Sequence, residues 1–307
     1  MRIILIGQAP FGASTLEALL DAGEDVVATY TPAEKPGAKP DALKQAALER
    51  NIRVVQPPTY KDDGIFREFA ALRPDLVVLA FVTDLIPMRF LDSAPLGSIC
   101  YHPSLLPRHR GASAINWAII MGDDRTGLSI FWPDAGIDTG PILLQKEVEI
   151  RPEDTAGSLY FDRLFPLGVN SLVESVGLIK AGKAPRIAQD DSRATYEPPC
   201  SDKAAAVDWT RSGRQIYNLI RGCDPQPGAY SQFRGEKIRF YNARFEEGGP
   251  SDAPGTVIGI GDRGIRIAVP GGELLVGKVR PQSAGKVDAA SWAGDAGIRT
   301  GEAFTRA

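Results

Sequence analysis

The stretch Leu76-Val77-Val78-Leu79-Ala80-Phe81 decides the fold, because a run of six apolar residues is typical of a strand buried on both faces. Comparable short runs occur at Arg2–Ile6 and Asp25–Tyr30, with helical patterns between them. Over about the first 180 residues, β-branched strands alternate with helices, which indicates a parallel sheet with crossover helices. Residues 1–185 are therefore predicted to form an α/β domain with a mostly parallel, Rossmann-like sheet.

Working outward from this strand, the same patterns predict the remaining elements of the domain. The other predicted strands are Arg53–Gln56, Gly97–Tyr101, Thr126–Trp132 and Ile142–Ile150. The predicted helices are Ser14–Ala22, Asp41–Arg50, Gly64–Leu72, Gly111–Met121 and Thr155–Ala181, the last being one helix or two broken at Pro166.

The composition changes after this domain. Residues 186–203 are polar, contain prolines and lack periodicity, which indicates an interdomain linker. The remainder, 204–307, contains one predicted helix, Arg211–Arg221, followed by short strands separated by glycine turns. These strands are Lys237–Phe245, Gly255–Gly259, Gly264–Ala268 and Glu273–Val279. Their even spacing predicts a small C-terminal β-barrel of the OB-like kind.

Length, charge and cysteine usage narrow the class of protein. The chain has 307 residues and a net charge of -3, so the whole molecule is not drawn to phosphate backbones or anionic lipid. Its three cysteines lack metal-type or paired spacing, which favours free thiols in a reducing, cytoplasmic compartment. No stretch approaches the ~20 apolar residues of a membrane span, and the apolar run after Arg2 is too short for a signal peptide.

Both histidines of the chain, His102 and His109, lie in one loop after a predicted strand. In open α/β sheets, sites form outside the carboxyl ends of strands, and His102 lies just past such an end. Prolines and arginines surround both histidines in the run 101–111. The alternative is a surface loop whose histidines only bond to the backbone.

A second cluster, Asp134-Ala135-Gly136-Ile137-Asp138-Thr139-Gly140, also follows a predicted strand, so we expect Asp138 to reach the same sheet edge as His102. A carboxylate beside an imidazole orients it and favours its charged form, as in acyl-transfer chemistry. The alternative is a turn stabilised by Asp138. An aspartic-protease reading of Asp-Thr-Gly is disfavoured, since the triplet occurs once and the strands alternate with helices.

Other chemistries find little support in the sequence. The turn Gly7–Gly12 does not match Gly-x-Gly-x-x-Gly, and the second strand does not end in a ribose-binding acid, so an NAD site is disfavoured. Two histidines without a nearby cluster of Cys or Glu provide too few ligands for a metal, and none is predicted. Cys100 shares a strand face with His102 and is read either as a small buried hydrophobe or as a nucleophile.

The motifs His102–Trp117, Asp138-Thr139-Gly140 and Ala194-Thr195-Tyr196 resemble those of formyltransferases that use 10-formyltetrahydrofolate, including methionyl-tRNA formyltransferase. The resemblance to this family covers residues 1 to about 300, and within the family the strongest likeness is to the N-terminal hydrolase domain of 10-formyltetrahydrofolate dehydrogenase. The aldehyde dehydrogenase part of that enzyme has no counterpart here, so NADP chemistry does not carry over. The resemblance implies an enzyme with 10-formyltetrahydrofolate as formyl donor and no metal.

The resemblance also assigns roles to residues of this chain. The catalytic histidine of the family falls on His102 and its catalytic aspartate on Asp138. An asparagine that helps to bind the oxyanion in the transferases falls on Cys100, a departure shared with the hydrolase domain, where an apolar residue lies there. The folate-binding residues implied by the resemblance are Leu79, Phe81, Leu85, Ile86, Pro87, Ser104, Leu105, Asp134, Ala135, Gly136 and Ile137. Arg108 or Arg110 could meet the glutamate tail of folate, since guanidinium suits carboxylate; both could equally be solvated surface arginines.

The formyl acceptor stays open at this point. The loop after the second strand, 31–40, is short and has only two lysines, which together with the negative net charge disfavours a tRNA substrate without excluding it. Water, giving hydrolysis, and a small amine, giving transfer, are the other acceptors. A folate-binding protein with little turnover is the alternative from a different class, if Cys100 disables catalysis.

Overall fold

The computed structural model describes residues 1–34, 37–249, 252–282 and 284–306, so Lys35 in the short loop after the second strand lies outside the described residues. The strands are β1 (Arg2–Gly7), β2 (Asp25–Tyr30), β3 (Arg53–Val55), β4 (Leu76–Ala80), β5 (Ser98–His102), β6 (Arg125–Phe131), β7 (Ile142–Glu149), β8 (Tyr230–Phe233), β9 (Glu236–Glu247), β10 (Val257–Gly261), β11 (Gly264–Val269), β12 (Gly272–Pro281) and β13 (Val287–Asp288). The helices are α1 (Ala9–Asp21), α2 (Ala42–Glu49), α3 (Asp63–Ala71), α4 (Met88–Leu91), α5 (Ala114–Met121), α6 (Ala156–Leu159), α7 (Phe165–Lys180), α8 (Gly213–Gly222) and α9 (Ala289–Asp295).

The chain forms two compact units, each built from three segments. The first unit comprises Met1–Arg110, Gly127–Val148 and Asp162–Tyr196. The second comprises Gly111–Thr126, Glu149–Phe161 and Glu197–Ala307. This division in space differs from the division by sequence at residues 185 and 204, because α5 packs on α8. Within the second unit, Asn116 Nδ2 donates to the Gly222 carbonyl at 2.7 Å, which ties these two helices together.

The first unit is built on a seven-stranded sheet in the order β3-β2-β1-β4-β5-β6-β7. Strands β1, β2, β3, β4 and β5 pair in parallel. Side chains of β4 alternate between two apolar clusters: Leu76 and Val78 pack in one, Val77 and Leu79 in the other. The sheet is thus covered on both faces, which confirms the predicted α/β class and explains why β4 is continuously apolar.

One strand direction differs from the sequence-based expectation. β6 pairs with β5 in an antiparallel sense, with Cys100 opposite Phe131 and His102 opposite Ser129. The carboxyl end of β6 therefore lies beside the middle of β5 and not beside its carboxyl end. The argument that Asp138 reaches the edge of His102 because both follow strand ends is wrong, since the loop after β6 has to fold back to bring Asp138 there.

The second unit contains the predicted barrel. Its sheet has the order β10-β11-β12-β9-β8, with β13 beside β12. The strands pair in an antiparallel sense at β10–β11, β11–β12, β12–β13, β12–β9 and β8–β9. The C-terminal segment joins the two edge strands: Thr305 pairs with Gln232 of β8, and Ala303 pairs with Thr256 next to β10. The C-terminal residues thus pair with the backbone at both edges of the sheet, which is how a barrel avoids exposed edge strands.

Two predicted helices begin or continue differently. α5 begins at Ala114 instead of Gly111, because Gly111 and Ser113 have φ angles of 88° and 66°, in the left-handed region. Pro166 does not break the long C-terminal helix of the α/β domain. It lies in the first turn of α7, directly after a π-helical turn at Tyr160–Leu164, where a missing N–H is tolerated.

Acid should weaken one ion pair of the second unit. Arg239 donates two hydrogen bonds of 2.8 Å to Asp202, and they are the main reason that the pKa of Asp202 falls from 3.8 to about 2. A carboxyl group whose pKa is lowered by folding stabilises the fold above its ordinary pKa, and this stabilisation is lost as pH falls from about 4 towards 2. Since Asp202 is half-exposed, we expect Asp202→Asn to cost ~1 kcal/mol or less at pH 7. In thermal melts from pH 7 to 3, the difference in Tm between Asp202→Asn and wild type should shrink below pH 4. A difference in Tm that does not depend on pH contradicts this.

Candidate active site around His102 and Asp138

His102 is the last residue of β5, and its imidazole is buried. Nε2 lies 2.7 Å from the backbone oxygen of His109. A carbonyl oxygen only accepts hydrogen bonds, so Nε2 carries the hydrogen and donates it. In the neutral ring this leaves Nδ1 with a free lone pair. The fold thereby assigns the two ring nitrogens: Nε2 anchors the ring, and Nδ1 is the basic atom.

Asp138 faces this basic atom. Its Oδ2 lies 3.5 Å from His102 Nδ1, close enough for an ion pair once the ring is protonated. Asp138 has a φ of 56°, in the left-handed region that Asp tolerates better than most residues. The two residues that the sequence singled out on separate strands and loops are thus brought together in space.

The loop 133–141, which carries Asp138, is held by its own polar groups. Asp134 Oδ1 accepts hydrogen bonds from Thr139 Oγ1 at 2.5 Å and from the Gly136 amide at 3.1 Å. A Cβ at Gly140 would lie 1.7 Å from the Trp132 carbonyl oxygen, so only glycine fits there. These contacts give Asp134 a role in shaping the loop. Residues 134–137 are exposed, and their assignment to the folate pocket stays a prediction.

The loop after β5 is fixed by Thr195. The Thr195 hydroxyl accepts a hydrogen bond from the His109 amide at 2.9 Å, and its carbonyl accepts one from the Arg110 amide at 3.0 Å. Ser104 is fully buried, and its hydroxyl donates to the Arg108 carbonyl at 2.6 Å. The loop is therefore rigid at the point where the His109 carbonyl meets His102. The assignment of Ser104 to the folate pocket stays a prediction, and the contact of its hydroxyl is internal.

Arg110 does not reach solvent, whereas Arg108 is exposed. The Arg110 guanidinium donates to Gln189 Oε1, to Asp191 Oδ1 at 2.6 Å and to the Tyr196 hydroxyl at 3.1 Å. These partners within the protein occupy the guanidinium, so it does not face a ligand. The suggestion that Arg110 meets a glutamate tail is therefore wrong, and so is the alternative of a solvated surface arginine.

Cys100 lies in the middle of β5, on the same face as His102. It packs against apolar residues of two clusters, among them Leu79 and Phe131. Burial raises the pKa of the Cys100 thiol, and the charge of Asp138 raises it further. The thiol is therefore protonated near neutral pH, which favours the reading as a small hydrophobe over that as a nucleophile, because the thiolate is the reactive form.

The remaining predicted folate-binding residues are apolar and differ in exposure. Leu79 of β4 is buried and pairs with Cys100 of β5, and Phe81 follows directly after β4. Phe81, Leu85 and Ile137 are large apolar side chains that are exposed by 44%, 84% and 54%. The partly buried members are Ile86, Pro87 and Leu105. Large apolar side chains exposed to this degree are typical of a surface that binds a ligand or a partner, so their assignment to the folate pocket stays a prediction.

Two further observations concern metal binding and membrane-spanning helices. Within the described ranges, no group of three or more His, Cys, Asp or Glu side chains is placed to hold a metal ion. In that same part of the chain, no helix is long and apolar enough to cross a membrane.

Comparison with known proteins places the chain in a family. The formyl transferase model matches residues 1–176, and the model of the formyl transferase C-terminal domain matches residues 200–296. The chain belongs to the formyltransferase family. The methionyl-tRNA formyltransferase of Geotalea daltonii is 36% identical over 306 residues, which cover 98% of this chain and 97% of that protein. The mouse mitochondrial 10-formyltetrahydrofolate dehydrogenase is 44% identical over 248 residues, or 79% of this chain, but this formyltransferase chain spans only 27% of that protein.

Solved structures agree with the fold of this formyltransferase. HypX from Aquifex aeolicus, solved with tetrahydrofolic acid, has a TM-score of 0.68 at 20% identity, over 98% of this chain and 48% of that one. An N-formyltransferase from Helicobacter canadensis, solved with folinic acid and dTDP-3-aminofucose, also has a TM-score of 0.68, at 16% identity, over 89% of this chain and 98% of that one. At these identities the likeness shows the shared fold alone.

Sequence reasoning missed one residue of the site. Gln189 donates hydrogen bonds to the backbone of the Asp138 loop, yet it lies 51 positions away in the polar linker region. No periodicity marks it. The only signal was the nearby motif Ala194-Thr195-Tyr196, which the resemblance singled out and which contains the residue that fixes the loop after β5.

Proposed function

We propose that this formyltransferase removes the formyl group of 10-formyltetrahydrofolate, with His102 as general acid–base and Asp138 as its charged partner. The observation that carries the proposal is the fixed ring: Nε2 donates to the His109 carbonyl, and the basic Nδ1 faces Asp138 at 3.5 Å. An anchored imidazole beside a carboxylate is suited to move one proton in each direction. General acid–base catalysis of this kind contributes about 10²–10⁴-fold to a rate.

The reaction then balances without any further group. His102 Nδ1 accepts a proton from the attacking water while the water oxygen bonds to the formyl carbon, giving a tetrahedral intermediate. Asp138 stabilises the imidazolium that forms. The imidazolium returns its proton to N10 of the folate as the bond from N10 to the formyl carbon breaks. Formic acid and tetrahydrofolate are released, the formic acid loses its remaining proton to solvent water to give formate, and His102 is neutral again.

The folate is proposed to bind against the apolar side chains beside this pair. Phe81, Leu85 and Ile137 offer surface for a flat aromatic ring, and the loop 133–141 offers main-chain groups. These assignments rest on the exposure of the side chains and on the likeness to relatives whose names include 10-formyltetrahydrofolate.

The thiol of Cys100, in place of a carboxamide, favours water over an amine as the acceptor of the formyl group. A thiol is a weak hydrogen-bond donor, so the site lacks the carboxamide that would stabilise an oxyanion at this position. The second candidate is transfer to an amine, and the match over 98% of the chain to a methionyl-tRNA formyltransferase supports it. Formate release from 10-formyltetrahydrofolate, measured alone and with initiator methionyl-tRNA or small amines, separates the two. Formate without acceptor supports hydrolysis, formylated amine supports transfer, and neither product refutes the proposal.

Cys100→Asn tests the missing oxyanion donor. We expect a higher kcat for formate release, with a gain bounded by the about 2.7–4 kcal/mol of one oxyanion contact. We also expect a lower Tm, because an amide placed among Leu79 and Phe131 costs about 1–3 kcal/mol if unpaired. A stably folded Cys100→Asn protein that is slower than wild type contradicts this account. Cys100→Ala is the control: if it abolishes activity, the thiol itself takes part.

A further inference from the structure

The side chain of Gln189 connects the Asp138 loop to a buried cation. Its Nε2 donates to the carbonyl oxygens of Asp138 at 2.9 Å and of Gly140 at 2.7 Å. Its Oε1 accepts from Arg110 Nε at 3.1 Å and from Arg110 Nη2 at 2.8 Å. The orientation of the amide follows from chemistry, because a guanidinium only donates and a carbonyl only accepts.

Arg110 is itself held on every side. Its guanidinium, 3% exposed, is also bonded to Asp191 and Tyr196, so the fork that faces Gln189 has one orientation. The backbone of Arg110 directly follows the His109 carbonyl that anchors His102. The main chain of Arg110 is therefore next to the carbonyl that anchors the His102 imidazole. Its side chain holds Gln189, which in turn supports the Asp138 loop.

From these contacts we infer that Gln189 is a positioning residue for Asp138, and that Arg110 holds Gln189 in the orientation this requires. The inference rests on the proposed function only for its effect on rate. Asp138 has a left-handed backbone, and the two hydrogen bonds from Gln189 fall on its own carbonyl and on one two residues later. Without them, the carboxylate is not held near His102 Nδ1. Catalytic geometry tolerates displacements of only about 0.5 Å.

Two variants of Gln189 separate its donor from its acceptor. Gln189→Ala removes both, while Gln189→Glu keeps an acceptor for Arg110 but turns an oxygen towards two carbonyl oxygens. We expect both to lower kcat for formate release by about 10–100-fold, the usual loss when the outer partner of a functional side chain is removed. KM should change by a smaller factor than kcat, because Phe81 and Leu85 of the proposed folate surface lie outside the loop that Gln189 supports. Gln189→Glu should retain the Tm of wild type, since its charge pairs with Arg110.

A double-mutant cycle distinguishes positioning from a general structural effect. If Gln189 acts through Asp138, then Gln189→Ala causes no further loss in an Asp138→Ala background. An equal fold-loss in both backgrounds overturns the inference. Gln215→Ala is the matched control: the side chain of this glutamine accepts two hydrogen bonds, both from Ser212 at the start of α8, and its loss should leave kcat unchanged.

Hydrogen exchange provides a readout that does not depend on turnover. In Gln189→Ala and Gln189→Glu, amides in the loop 133–141 should exchange faster than in wild type, while those of β4 and β5 should not change. Wild-type protein that forms neither formate nor a formylated amine, together with faster exchange in the variants, refutes the proposed function and leaves the positioning role standing. Unchanged exchange in a folded variant overturns the positioning role.

Discussion

We expect His102→Ala to lower the rate of formate release from 10-formyltetrahydrofolate by about 10²–10⁴-fold while leaving folate binding nearly intact. The reason is that His102 contributes the basic nitrogen assigned to the reacting centre, whereas the proposed binding surface consists of Phe81, Leu85, Ile137 and main-chain groups of the loop 133–141. Formate release and the Kd of a folate analogue are measured on the same preparation.

The control for this variant is His109→Ala. His109 contacts His102 through its backbone oxygen, and alanine keeps that oxygen, so most of the rate should remain. A comparable loss of folate binding and of rate in His102→Ala points instead to a structural role for His102.

Asp138→Asn is expected to lower kcat on the order of 10²–10⁴-fold, the range between losing one electrostatic partner and losing the carboxylate of a catalytic triad. The carboxamide is isosteric but neutral, so it cannot stabilise the imidazolium that forms at His102 Nδ1. The loop should keep its shape, because Asp134, Gly140 and Gln189 hold it through groups that the substitution does not touch. Tm should therefore change little.

Asp134→Asn provides the comparison for Asp138→Asn. The substitution weakens the two hydrogen bonds that Asp134 Oδ1 accepts from Thr139 and Gly136. It leaves the charge of Asp138 facing His102 in place. Its loss of kcat should be the smaller of the two. If Asp134→Asn and Asp138→Asn lose activity equally, loop shape and not the carboxylate determines the rate.

The sheet of the first unit could be predicted because burial on both faces leaves a continuous apolar run. The predicted strand Asp25–Tyr30 agrees with the structure, and Leu76–Phe81 is one residue too long. The direction of β6 could not be predicted, since Thr126–Trp132 is equally apolar whichever way it runs. Asp138 therefore lies beside His102 because the loop after β6 folds back, and the sequence did not predict this.

The other differences have two causes: local backbone conformation, and contacts between residues far apart in the sequence. Two αL residues, Gly111 and Ser113, delay the start of α5, and Ser113 carries no local sign of this conformation. The barrel strands were predicted from their spacing, but the pairing of Thr305 with Gln232 depends on residues far apart in the chain. The role of Gln189 belongs to the same class, because a lone polar residue in a polar segment has no period to reveal it.

The most direct test of the His102–Asp138 pair is the rate of formate release by His102→Ala, Asp138→Ala and the double variant, each at saturating 10-formyltetrahydrofolate. Residues that act as one unit are strongly non-additive, so removing the second costs little once the first is gone. The account predicts that the double variant is as slow as His102→Ala and no slower. A double variant whose loss equals the product of the two single losses would contradict it, because His102 and Asp138 would then act independently.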